Sequence, residues 1–196
     1  MTTAVRTRLI WASLLVMAVA VSCSSGDGQP AASATLGAAP SRIGSDELAP
    51  LTHDDGAVHV AVGATHALYS TVPATSGPHW LTKPAAGAPQ GSPARWGVYA
   101  EALPDEVLVH NLEHGGIGLH YNCPVGCPDT IEALRGLVSS NPSQFIVSPY
   151  PGMPTKIAVT AWRRVIYLDT VDADVIRRFM TQYKGKAPEN VPDNMF

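Results

Sequence analysis

The chain has 196 residues, 45% of them hydrophobic and 15% charged, with 13 Lys and Arg against 16 Asp and Glu for a net charge of −3. That length suits one domain with one modest core, not two. The acidic balance offers no basic stripe for phosphates, so nucleic acid is not an expected partner.

At the N-terminus, Arg6 and Arg8 precede an apolar run from Leu9 to Val21, and Ala20-Val21-Ser22 sets small residues before Cys23. Residues 1–22 read as an export signal, too short for a confident membrane span. The ending resembles a bacterial lipobox, with Ala20 where leucine is usual. That resemblance implies cleavage before Cys23 and lipidation of its thiol; the alternatives are an ordinary secretory signal or an uncleaved anchor. Every version places the remainder outside the cytoplasm, and the lipobox version anchors it to the cell membrane as a lipoprotein. Removing residues 1–22 takes away Arg6 and Arg8 and no acid, leaving 11 basic against 16 acidic side chains, a net charge of −5. Such a surface is weakly repelled by anionic lipid, so attachment falls to the anchor.

From Ser24 to about Gly56 the chain is mostly Ser, Gly, Ala, Pro and Thr without an apolar period, and residues 23–56 read as a flexible tether. The folded unit is then 57–196. Val58 to Val62 alternates like a strand, and residues 71–95 are rich enough in Pro, Gly and Ser for a long ordered loop. Trp96–Tyr99 suggests a short strand. Pro104-Asp105 can start a helix that Gly115 stops, although the β-branched Val107 and Val109 also suit a strand ending in a helical turn. Ile117, Leu119 and Tyr121 alternate with Gly118, His120 and Asn122 as a strand.

Asp129 or Thr130 caps a helix to about Ser139, with Ile131, Leu134 and Leu137 on one face. Phe145–Val147 is a strand, and Lys156–Leu168 is one long strand or a hairpin. Asp172 or Asp174 opens a last helix with Val175, Phe179 and Met180 facing the core. Strands and helices do not alternate regularly. The fold class expected is α+β: a single compact domain, a small mostly antiparallel sheet, two or three helices and long ordered loops.

The chemistry concentrates in His110-Asn111-Leu112-Glu113-His114-Gly115-Gly116. On a helix the two histidines share a face, so both rings can meet one metal ion. The same letters satisfy the H-x-x-E-H pattern of inverted zinc peptidases. Such a hydrolase needs Glu113 as general base and a distal acidic ligand, for which Glu132 and Glu189 are the candidates. The glycine pair ends the element at once, where a peptidase motif normally lies within a longer helix.

Ser76-Gly77-Pro78-His79-Trp80, Gly97-Val98-Tyr99, the HNLEHGG run, Pro149-Tyr150-Pro151 and Ala161-Trp162 occur in an order that resembles a bacterial family of exported or membrane-anchored proteins, domain of unknown function 3105. The resemblance spans His59 to Glu189. It implies that the family's recurring polar positions are His79, His110 and His114 here, with Glu113 between the last two and His59 as a further match. The family brings no activity with it.

Imidazole is the commonest metal ligand, and a zinc site needs three or four such donors. His79, braced by Pro78, joins His110 and His114, and His59 or Glu113 completes the set. Met153, in a rigid and exposed-looking turn, would suit copper. The alternative is that these histidines bond local backbone and Glu113 pairs with His114. Cys123 and Cys127, with Cys23 taken by lipid, form an even pair in an oxidising compartment, and a disulfide is expected over a thiolate pair. His53 and His66 read as solvated bystanders, and His120 as facing water. Trp80, Trp96, Trp162 and Tyr183 fit packing; a ligand pocket between Trp80 and Tyr99 is the alternative. The function expected is a transition-metal site, zinc or copper, in a structural, chaperone or sensing role. A metal-free cell-envelope interaction module and a metallohydrolase are the other classes, and no protein partner is named by the sequence.

Overall fold

The computed structural model describes residues 47–81, 91–189 and 191. The stretch expected to hold an export signal, a lipidated Cys23 and a tether lies outside them as far as residue 46. The elements in chain order are β1 (His59–Val60), β2 (His79–Trp80), β3 (Gly97–Val98), α1 (Asp105–Glu113), β4 (Ile117–Tyr121), α2 (Pro128–Val138), β5 (Phe145–Pro149), β6 (Ile157–Ala161), β7 (Arg164–Leu168) and α3 (Ala173–Tyr183). Among the described residues no helix is long and apolar enough to cross a membrane.

The fold is α+β, as expected. Five strands lie in the order β3-β5-β4-β6-β7, parallel at β3/β5 and β5/β4 and antiparallel at β4/β6 and β6/β7. The stretch from Lys156 to Leu168 resolves into the hairpin of β6 and β7. Its turn uses Arg163 at φ 55°, a left-handed conformation held by backbone bonds to Thr52 and Thr75. A separate two-stranded parallel ladder joins β1 to β2.

Side chains alternate across the sheet and divide the interior into two cores. On one face Ile117, Leu119, Tyr121, Phe145, Val147, Ile157 and Val159 pack with Leu134 and Val138 of α2 and Ile176, Phe179 and Tyr183 of α3. On the other, Ile146 packs with Val107 and Leu108 of α1, Trp80, Ala94 and Leu103. Both faces are therefore covered, and this overturns the expectation that His120 faces water. His120 is 1% exposed and bonded to Ser148 at 3.0 Å and Thr160 at 3.2 Å across the two neighbouring strands. Gly118 makes room for it: a Cβ there would stand 2.2 Å from His120 Nε2.

Three further expectations are corrected, and one is met in part. Met153 is buried, its carbonyl held by Asn122, so no exposed thioether exists there. Pro128 opens α2 with Cys127 at the N-cap, two residues ahead of Asp129; Pro at the first turn needs no N–H partner. On α3, Phe179 and Met180 pack on the core as expected, joined by Ile176 and Tyr183 and not by Val175, and Asp172 caps the helix by accepting from the Asp174 and Val175 N–H groups. Packed structure also begins earlier than residue 57. Ala49 is fully buried, its N–H bonded to Tyr183 Oη at 2.9 Å and its carbonyl to Arg164. Composition misses this attachment because it runs largely through backbone groups, which every residue carries. Cys123 and Cys127 are joined as a disulfide between β4 and α2.

Candidate metal centre

Three pieces of chain meet at the end of α1. Pro104 starts that helix, Asp105 and Glu106 favour its positive end, and Gly115 at φ 85° lets the chain leave it. The short helix therefore places His110 and Glu113 at i and i+3, facing the β1/β2 ladder. In that ladder His59 and His79 are register partners, so their side chains lie on the same side. The ladder is tied down by the Gly77 N–H to Gly56 at 2.7 Å and the His79 N–H to Val58 at 3.0 Å. Gly77 takes φ 125°, and a Cβ there would stand 2.8 Å from the Tyr69 ring. No other residue type fits that corner without displacing the aromatic.

The donor atoms converge. One ligand atom each from His59, His79, His110 and Glu113 lies within 4.8 Å of the other three, and this group could hold a metal ion. His79 Nε2 is 2.8 Å from Glu113 Oε2, and His59 Nε2 is 3.5 Å from the same oxygen. Ring centroids of His79 lie 4.5 Å from His59 and 4.9 Å from His110. His79, His110 and Glu113 are almost wholly buried, whereas the His59 side chain is 30% exposed.

Hydrogen bonds fix which nitrogen faces inward. His79 Nδ1 lies 2.8 Å from the Gly77 carbonyl, and His110 Nδ1 lies 2.7 Å from the Trp80 carbonyl and 3.1 Å from Ser92 Oγ. A carbonyl only accepts, so each Nδ1 carries the proton and donates it. Nε2 is thereby the nitrogen each ring turns away from the backbone, the arrangement used by metal-bound histidines, and that of His79 meets Glu113 Oε2. His110 is held neutral, its pKa pushed down to about 3 by burial and then by the neighbouring His114 and His79. Neutral imidazole is the ligand form.

His114 does not share this group, although the i,i+4 spacing predicted that it would face the same ion as His110. It sits at the C-cap, where φ −83° and ψ 12° depart from helix. Its Nε2 is 3.4 Å from Glu189 Oε2, and Glu113, His114 and Glu189 form a second group with ligand atoms within 4.8 Å. Glu132 lies exposed on α2 and joins neither group. His53 is exposed, as expected, but His66 is bonded to the Ala67 carbonyl at 2.8 Å and to Glu106 at 3.2 Å. Hydrogen bonds to those two groups raise its pKa. Trp80 is buried in the second core, with Tyr99 packed against the same cluster.

Two positioning residues escape a reading of the sequence. Ser92 Oγ donates to the Trp80 carbonyl at 2.7 Å while contacting His110. Asn111 grips both backbone groups of Ala94, accepting from its N–H at 2.9 Å and donating to its carbonyl at 2.8 Å. Asn111 lies inside the conspicuous motif, and its burial at 1% marks it as a fastener. Ser92 carries no local signal.

A family model described as a protein of unknown function (DUF3105) matches residues 59–194. The chain belongs to that family. The match begins at the residue that supplies the first donor, so the family segment contains the whole candidate centre. Neither the curated proteins nor the solved structures contain a match.

Proposed function

We propose that this DUF3105 protein binds a divalent transition metal, zinc in the first instance, through Nε2 of His59, His79 and His110 and a carboxylate oxygen of Glu113. One observation carries the reading. Four donor atoms, from His59, His79, His110 and Glu113, converge within 4.8 Å of one another, and His79, His110 and Glu113 are almost wholly buried where they meet. His59 Nε2 supports it, being buried without a hydrogen-bond partner. Neighbouring ligands in a tetrahedral zinc site are separated by roughly 3.3 Å, so Glu113 moves outward by a few tenths of an ångström as the ion enters. Three imidazoles and a carboxylate make a donor set without soft sulfur, which favours zinc and also accepts copper(II), and disfavours copper(I).

The role we infer is structural: an ion there fastens the β1/β2 ladder to the end of α1. The hydrolase reading loses support from the same geometry. Glu113 is itself in the ligand group, so it is not a free base beside a metal-bound water, and His110 and His114 belong to different groups. We further infer export and anchoring through a lipid on Cys23. The N-terminal pattern supports that, as does a disulfide of the kind oxidising compartments maintain. The test is elemental analysis of the full-length chain after exposure to zinc and to copper, beside His79→Ala, His110→Ala and His53→Ala. The reading expects tight metal that both inner variants lose and His53→Ala keeps. A folded wild-type protein without metal would sink it.

A further inference from the structure

We infer that Glu113 is a bridging carboxylate, and that a second divalent cation binds on its other side between Glu113, His114 and Glu189. The inference rests on the first ion being bound by His59, His79 and His110 as proposed above. A carboxylate carries two oxygens and can serve two ions, and paired metal sites place their ions about 3.5–4 Å apart. The geometry suits such a pair. Glu113 belongs to both groups of converging donors, and the rings of His110 and His114, one from each group, have centroids 4.6 Å apart.

The third donor is delivered by the backbone. The Glu189 N–H donates to the Glu113 carbonyl at 3.0 Å, and the Gly185 N–H donates to the Gly115 carbonyl at 2.9 Å. These bonds fasten the segment after α3 along the end of α1 and set the Glu189 carboxylate 3.4 Å from His114 Nε2. Glu113 and His114 are buried, at 2% and 7% exposure, and the Glu189 side chain is 53% exposed. The second ion therefore enters from the Glu189 side, while the partly exposed His59 marks the opening to the first. One imidazole and two carboxylates form a harder donor set than three imidazoles and one carboxylate. The second site accordingly takes zinc, manganese or iron(II) and holds them less tightly than the first holds zinc.

Stoichiometry decides it. The full-length chain is titrated with zinc, freed of loose ion by gel filtration and analysed for zinc per chain, alongside Glu189→Gln and His79→Ala. The expected result is two zinc ions in wild type and one in each variant. Glu189→Gln alters a half-exposed side chain whose backbone bond survives, so a folded variant is expected, and circular dichroism verifies it. One zinc in wild type, unchanged in Glu189→Gln, overturns the second site and leaves the first standing. Two zinc ions retained in Glu189→Gln also overturn it, because the second ion then lies elsewhere. No zinc in wild type removes the first reading as well. A copper(II)-loaded sample adds an independent readout: spin coupling between two ions in wild type, and an uncoupled single-ion spectrum in Glu189→Gln. Uncoupled spectra in both would show that Glu113 does not bridge.

Discussion

His59 and His79 are register partners in a parallel ladder only two residues long, with their rings 4.5 Å apart. One is partly exposed and the other wholly buried, so the two histidines contribute unequally to the centre. His79→Ala removes a buried donor whose tautomer is fixed and leaves Glu113 facing empty space; it should abolish tight zinc binding. His59→Ala should weaken binding at the first site and speed exchange with a chelator. Competition against a chromophoric zinc chelator measures both, and equal losses would contradict the assigned ranking.

Metal removal should destabilise the folded chain. An ion bound only to the native state adds about 4 kcal/mol when free zinc is a thousand times its dissociation constant. Thermal melts of the full-length protein with zinc and with a strong chelator should therefore differ clearly. The gap should shrink markedly in His79→Ala, and an unchanged gap there would place the stabilising ion elsewhere.

Ser92→Ala tests positioning without touching a donor. It removes the hydroxyl between the Trp80 carbonyl and His110 Nδ1. Losing such a supporting contact typically costs about 10–100-fold in metal affinity. The expected outcome is a loss in that range with the fold intact by circular dichroism. Unchanged affinity would show that the Trp80 carbonyl alone orients the ring.

The acid side of the stability profile should carry the signature of His120. Burial pushes its pKa down to about 3 in the folded protein, against 6.5 when unfolded. Between those values the unfolded chain binds a proton that the folded chain refuses. The stability associated with neutral His120 is thus fully present above pH 6.5 and is lost as pH falls toward 3. The slope approaches about 1.4 kcal/mol per pH unit for one proton. His120→Gln keeps a polar group beside Ser148 and Thr160 without a titrating ring. Denaturant melts from pH 7 to 4 should fall less steeply for that variant, and parallel curves would refute the assignment.

Much of the fold was legible because local signals agreed with it. Pro104 and Gly115 bracket α1, the alternation from Ile117 to Tyr121 is β4, and the β-branched run after Lys156 is the hairpin. What alternation could not report is that both faces of the sheet are covered, so His120 takes the second core and not solvent. The candidate site was legible as a set of residues, and its division into two donor groups was not. The His110 and His114 rings are neighbours, as i,i+4 spacing predicts, but the backbone departs from helix at His114 and their donor atoms fall in different groups. Glu113 consequently joins His110, and His114 turns to Glu189, whose approach depends on backbone bonds after α3 that no spacing rule anticipates.

The two grips that α1 exerts through His110 and Asn111 have a practical corollary. His110 holds the Trp80 carbonyl and Asn111 holds Ala94, so the peptide leaving the second strand and the peptide returning are each pinned from outside. Labels and affinity tags are therefore best kept away from both pins, because a disturbance of Trp80 or Ala94 reaches the helix that carries two of the donors.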